Sequence, residues 1–455
     1  MVAKLQQSLR DSKGARWTAL IIVSFMMLCG YYFTDVMAPL KGLLENQLSW
    51  SSSEFGLFTG AYGWFNVFLL MLIIGGIILD KMGVRFTGTM AASLMVLGAC
   101  TKYWAVTTHA LDGLTLFNVK MQVLTAGLGF AIFGVGVEVA GITVSKTIVK
   151  WFKGKEMALA MGMEMAMARI GTGLALFCSL PIAGHFKLST PLLLGITMLC
   201  IGLIAFILYT FQDRKLEKEL ALEVKQSDEE GFKIKDIVNI FTNRGWWYIA
   251  ILCVLFYSAV FPFLKYATDL MIQKFHVNPD FAGSIPGLLP FGTILLTPFF
   301  GNLYDRKGKG ASIMLIGSVM LIFIHGLFSV PFLDFWWFAV LLILTLGVAF
   351  SLVPSAMWPS VPKIIPEKQL GTAYSMIFWV QNWGLMGVPM LIGKVLDKYC
   401  VVNKVLADGT LQKYDYTLPM MIFTCFGILA LCFAYLLKKE DRRKGYGLEL
   451  PNIQK

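Results

Sequence analysis

The chain has 455 residues, of which 57% are hydrophobic and 15% charged, and its mean hydropathy is +0.68. Soluble domains carry about 25% charged residues. That shortfall, with successive apolar runs of about 20 residues, excludes a soluble fold and makes the chain a polytopic helical membrane protein. The net charge of +11 would suit nucleic acid in a soluble protein. Here the basic residues fall in alternate loops, so they speak for membrane orientation and for no nucleic-acid partner.

Taken in order, the first apolar span covers about 17–40 and contains Asp35. The second covers 55–79 and ends in GGIILDKMGVR, and the third covers 87–107. The fourth and fifth flank the short basic break KWFKGKE within 127–173, and the sixth covers 192–211. A charged segment, 212–244, follows; its tail FKIKDIVNIF is amphipathic and suits the membrane interface. Six further spans come at about 246–272, 281–304, 312–330, 336–361, 370–396 and 418–437. The expected fold is therefore an all-α membrane protein with twelve transmembrane helices in two six-helix bundles. Its units are an N-terminal bundle over 1–211, a linker over 212–244, and a C-terminal bundle with tail over 245–455.

Lysines and arginines precede the first span and follow the second, fourth, eighth and twelfth, which predicts that both ends of the chain and the linker are cytoplasmic. Seven of the eight cysteines lie in apolar runs and only Cys400 in a loop, so no disulfide framework is implied. The four histidines show no metal-ligand spacing, and neither metal nor cofactor is expected. Residues 1–16 are polar, and the run after Trp17 is too long for a signal peptide. No nucleophile–base pair is visible, which argues against an enzyme.

The fourth and fifth spans each carry a charge that hydrocarbon should not tolerate. Glu138 lies 15 residues before Lys153, and Arg169 lies 14 residues after Lys155. At ~1.5 Å per residue a hairpin brings both to ~21–22 Å below one surface. Intramembrane charges at one level point to a functional site. The plainer reading is a mutual ion pair that only locks two helices. Gln381, 13 residues into the eleventh span, reaches ~20 Å below the same surface from the other half, where its amide could bond a peptide group; the plainer reading for Gln381 and Asn382 is a helix–helix hydrogen bond. Glu164 reads as a structural partner of Arg169, and Lys265, ~30 Å along from Trp246, as a lysine snorkelling to the far surface. The glycines of GLGFAIFGVG suit close helix packing, since no strand surrounds them for a dinucleotide loop.

A repeat is also visible. Gly76 to Lys81 (GIILDK) matches Gly301 to Arg306 (GNLYDR) at an offset of 225 residues, about half the chain. Parallel six-helix halves of this kind follow the major facilitator plan. Gly76, Asp80 and Arg85, with Gly301, Asp305 and Arg306, are expected to act as a conformational gate, the aspartates capping neighbouring helices.

A closer resemblance rests on WFKGKE (151–156), MARIG (167–171), FGVGVE (133–138), AYGWFN (61–66), VFPF (260–263), WPSVP (358–362), PEKQLGTAYS (366–375) and VQNWG (380–384). These resemble the lysosomal dipeptide uniporters of the major facilitator superfamily and their prokaryotic relatives, over nearly the whole chain. The resemblance implies dipeptide cargo held by Glu138 and Arg169, and more loosely by Tyr62, Trp64, Trp358 and Gln381, with Asp35 a weaker candidate. A zwitterion fits the residues too: Glu138 suits an ammonium and Arg169 a carboxylate. Phe130 stands where proton-coupled family members carry an arginine, which favours facilitated diffusion. The alternatives are a proton-coupled exporter of metabolites or drugs and a non-transporting membrane receptor on the same fold. The lysosomal relatives work with a glycosylated accessory subunit, but no residue here indicates one. A prokaryotic plasma membrane is the expected location.

Overall fold

The structure, a computed structural model, describes residues 9, 11–152, 156–223, 234–366, 369–405 and 411–452. Among them, eleven helices are long and apolar enough to cross a membrane. The first crossing is α1 (Lys13–Asp35), continued after the Pro39 turn by α2 (Lys41–Leu48). The second is discontinuous. It runs through α3 (Ser52–Gly60) and α4 (Trp64–Phe68), breaks at Leu69 and Leu70, and resumes in α5 (Met71–Thr107). Within α5, Gly83 takes φ +76°, a left-handed value open to glycine, and turns the chain into the third crossing. The expected second and third helices are thus both present, joined without a loop.

Four more helices complete the first half of the chain and its linker: α6 (Met121–Phe152), α7 (Met157–His185), α8 (Thr190–Glu223) and the short α9 (Ile234–Phe241). α8 outruns its predicted end at 211 by twelve residues, because QDRKLEKELALE is built from strong helix formers. Asp213 ties the base of that extension. Its buried carboxylate accepts from Lys150 at 2.8 Å, Trp151 at 3.1 Å and Tyr209 at 2.9 Å. In α9, Ile240 is buried while Val238 and Phe241 are exposed.

The second half begins with α10 (Arg244–Ser258) and α11 (Phe261–Gln273), two pieces of one crossing separated just before Pro262. After the one-turn α12 (Pro279–Ala282) come α13 (Ser284–Lys307), α14 (Gly310–Ser329), α15 (Trp336–Ile364), α16 (Leu370–Tyr399) and α17 (Thr417–Lys444). A two-stranded antiparallel hairpin, Val401–Val405 with Leu411–Tyr414, links the last two.

α1 packs on α7 and α8, and α5 on α6 and α8; separately, α10 packs on α16 and α17, α13 on α15, and α14 on α15 and α17. The two groups meet through α3 against α16 and α7 against α13. The α3–α16 seam is backbone-close: a Cβ at Gly56 would overlap the Pro389 carbonyl, and one at Gly393 the Ser52 carbonyl. These contacts lie at the face opposite the chain ends. There Lys41 is sealed between Glu45 at 2.7 Å and Asp269 at 2.8 Å, its side chain 1% exposed. Glu45 also accepts from Lys413 at 2.7 Å, Tyr414 at 3.1 Å and Ser52 at 2.9 Å, and Asp269 accepts from the Tyr416 hydroxyl. Buried charges from both halves are thereby satisfied only while this far face is shut.

Candidate functional site

Between the two groups of helices lies a cavity of about 920 Å³. Its inner end is lined by Asp35, Thr59 and Pro389, all buried. Its other end is lined by Asp80, Ser145 and Gly371, which are exposed at the face bearing both chain ends. The cavity therefore opens to that face and is closed at the other.

Glu138 of α6 and Arg169 of α7 both line it. They make no ion pair with each other, nor does either with any other described residue. Glu138 Oε1 accepts from the Tyr62 hydroxyl at 2.9 Å. The Arg169 guanidinium lies 5.6 Å from the Phe261 ring centroid and 5.1 Å from that of Phe350, both carried by the second half. Cation–π contacts steady a guanidinium without consuming its fork of N–H donors. A carboxylate and a guanidinium thus face one cavity, each held by neutral groups and neither met by an opposite charge among the described residues.

The other expected residues divide. Tyr62, Trp358, Gln381 and Asp35 line the cavity. Trp358 donates from Nε1 to the Tyr257 hydroxyl at 3.0 Å. Gln381 receives the Cys253 thiol at 3.6 Å, and no acceptor among the described residues meets its amide nitrogen. Asn382 bonds within its own helix, to the Phe378 carbonyl at 3.0 Å. Trp64 is not part of the lining; its ring tip packs at Gly127 instead, because the turn at 61–63 carries Tyr62 inward and Trp64 toward α6. The glycines of the α6 run do serve packing: a Cβ at Gly129 would crowd the Gly98 carbonyl of α5.

Of the gate residues, Gly76 and Asp80 line the cavity mouth, and Asp80 pairs with Lys146 at 2.6 Å. Arg85 pairs with Glu217. Asp305 receives the Asn452 side chain at 2.7 Å, while Arg306 is exposed and Gly301 lies away from the lining. Among the described residues neither aspartate caps a helix, which departs from the expectation: each instead accepts from a side-chain donor, Asp80 from Lys146 and Asp305 from Asn452.

Two charges stand where the sequence did not place them. Lys265 does not snorkel. α11 runs eight residues beyond it, ~12 Å, so Lys265 stays inside and donates to Asp35 at 2.6 Å and to the Thr34 carbonyl at 2.9 Å. Thr172 gives Asp35 a further bond at 2.8 Å. Lys102 of α5 is fully buried; its ammonium meets the Phe33 carbonyl at 3.3 Å and lies 4.3 Å from the centroids of both Phe33 and Phe130. Glu164 also lines the cavity, without the pairing to Arg169 that the sequence suggested. Five residues along a helix turn two side chains about 140° apart, which accounts for the separation.

This arrangement agrees with the comparison to known proteins. The sequence profile described as Major Facilitator Superfamily matches residues 8–389. The chain belongs to the major facilitator superfamily. Among curated relatives, the mouse (Mus musculus) lysosomal dipeptide transporter MFSD1 is 29% identical over 392 residues, covering 83% of this chain and 80% of its own. The zebrafish (Danio rerio) protein of the same name is also 29% identical, over 88% of this chain and 87% of its own. A bacterial homologue of the human lysosomal transporter Spinster, inward-facing and unoccupied, superposes with a TM-score of 0.69 at 12% identity, covering 98% and 99% of the two chains. The nucleoside transporter NupG gives 0.68 at 16%, over 93% and 99%. These solved structures share the fold. The chain is a multi-pass membrane transporter of this superfamily and not an enzyme.

Proposed function

We propose that this transporter moves dipeptides by alternating access as a uniporter, in a prokaryotic plasma membrane with both chain ends cytoplasmic. In that reading, 1–211 and 245–455 rock as two bodies around the cavity, and the structure corresponds to the inward-open state. One observation supports the cargo above all: Glu138 and Arg169 share a cavity without satisfying each other. Leaving a carboxylate and a guanidinium unpaired inside a membrane protein is costly unless a ligand completes them. A dipeptide offers an ammonium to Glu138 and a carboxylate to the planar Arg169 fork, with the Gln381 amide at hand for its peptide group. The dipeptide-transporting relatives agree with this assignment.

The test is uptake into liposomes with and without end-blocking. Glu138→Gln should weaken uptake of free peptides more than of N-acetylated ones, and Arg169→Lys should spare amidated peptides. Combining Glu138→Gln with Arg169→Met should leave the protein folded but inactive. Transport restored by that double replacement would return the pair to a structural role. Uptake abolished by collapse of the proton gradient would refute uniport.

A further inference from the structure

The ionisable lining of the cavity does not balance. Four carboxylates face it, Asp35, Asp80, Glu138 and Glu164, against three cations, Lys146, Arg169 and Lys265. Two pairs close on themselves, Asp35 with Lys265 at 2.6 Å and Asp80 with Lys146 at 2.6 Å. That leaves two carboxylates and one guanidinium for the cargo. A neutral dipeptide supplies one ammonium and one carboxylate, so it answers Glu138 and Arg169 and leaves one carboxylate over. The carboxylate left over is Glu164, for which no hydrogen-bond or ion-pair partner exists among the described residues.

We propose that the cavity is built for dipeptides carrying a cationic side chain, and that Glu164 is the residue that meets that side chain. The inference rests on the dipeptide reading and adds the side-chain class to it. Position supports it as well as charge. Glu164 sits one and a half turns before Arg169 on α7, ~7.5 Å nearer the open mouth and turned to another direction. A side chain branching from a peptide whose carboxylate lies on Arg169 can reach it, whereas the peptide's own two ends are already engaged deeper in. The flexible ammonium of lysine or the guanidinium of arginine suits such an offset partner, and Met165, also in the lining, offers apolar surface to the aliphatic stem. An acidic side chain would place a third negative charge beside Glu164 and Glu138.

Binding of Ala-Ala, Lys-Ala, Ala-Lys and Glu-Ala to the purified full chain, by calorimetry in detergent, tests this. The lysine peptides should bind about ten- to a hundredfold more tightly than Ala-Ala, the range of a charge-assisted contact, and Glu-Ala more weakly than Ala-Ala. In Glu164→Gln the ratio of Lys-Ala to Ala-Ala affinity should fall to near one, and in Glu164→Asp it should stay above one. A ratio near one in the unaltered protein, or one that Glu164→Gln leaves untouched, overturns the inference. The wild-type ratio decides even if a variant fails to fold. Ala-Ala that binds in an end-dependent way while lysine confers nothing removes only the side-chain assignment. Failure of all four peptides to bind removes the dipeptide reading with it.

Discussion

The sealed far face gives a prediction with a defined size. Lys41 and Glu45 belong to the first half of the chain and Asp269 to the second, so the 2.8 Å contact between Lys41 and Asp269 exists only while this face is shut. Asp269→Asn keeps the shape and the Tyr416 contact but removes the charge. A hydrogen bond to a charged group contributes about 1.5–3 kcal/mol net, so the closed arrangement should lose roughly that amount relative to the open one. Each 1.4 kcal/mol is about tenfold, and the ratio of open to closed far face should rise roughly 10- to 150-fold. Lys41 keeps Glu45, and Glu45 keeps Lys413 and Tyr414, so the fold itself should survive. Spin labels at Gln47 and Lys398, both exposed at this face on opposite halves, report the change as a longer distance population in pulsed dipolar spectroscopy. A second pair at Met82 and Lys307, exposed at the face of the chain ends, should shorten in step. The eight native cysteines would be replaced first. An unchanged Gln47–Lys398 distribution in a protein of unchanged thermal stability would refute the gate. So would broadening of both pairs together, which signals unfolding.

Three further outcomes follow from named contacts. Asp80→Asn weakens the hold on Lys146 at the cavity mouth and should slow liposome uptake more than it weakens dipeptide affinity; complete loss of binding would make Asp80 a cargo ligand instead. Asp213→Ala strands two buried donors, Trp151 and Tyr209, and the half-buried Lys150 at the base of α8 and should cost about 3 kcal/mol, read as a lower unfolding temperature, with no change in the relative affinities of a dipeptide panel. Cys400, just past the end of α16, is buried, and burial pushes its thiol up to about 11, with Asp415 adding to the rise. Its labelling by a water-soluble maleimide at pH 7 should therefore be slow and should climb about tenfold per pH unit toward 11, thiolate being the reactive form; fast labelling at neutral pH would mean that the hairpin above it opens.

What the sequence conveyed and what it hid separate along a physical line. Apolar run length reports membrane crossings whatever their tertiary partners, so the spans were legible even where the second is broken at Leu69 and Leu70. Depth along a single helix was legible as well, which is why Glu138, Arg169 and Gln381 could be expected in one place and do line one cavity. Partner choice was not. Whether Glu164 pairs with Arg169, or Asp80 with a helix end, depends on which donor a neighbouring helix presents, and no periodicity carries that. Lys265 shows the other limit. Counting residues from Trp246 gives its distance along the crossing but not where the crossing ends, and α11 continues ~12 Å past it. A better signal was available in Asp35, an intramembrane carboxylate whose natural partner had to be a cation from another span.

Lys102 sharpens the argument about where function sits. A buried charge can be made tolerable by an opposite charge, as in Asp35 with Lys265, or by carbonyl and aromatic contacts, as the Phe33 carbonyl and the Phe33 and Phe130 rings do for Lys102. Both solutions are complete without a ligand and leave nothing for cargo to supply. The three charges that differ are Glu138, Glu164 and Arg169. They are held only by neutral groups, Glu138 by the Tyr62 hydroxyl and the Asn382 side chain and Arg169 by two rings, and all three face the same water-accessible space. Phe130 also shows why the absence of an arginine in α6 is not an absence of positive charge nearby. Its ring lies under Lys102 of the first half and 5.9 Å from Lys265 of the second, so a lysine from each half stands beside it, Lys102 on the Phe33 carbonyl and Lys265 on Asp35.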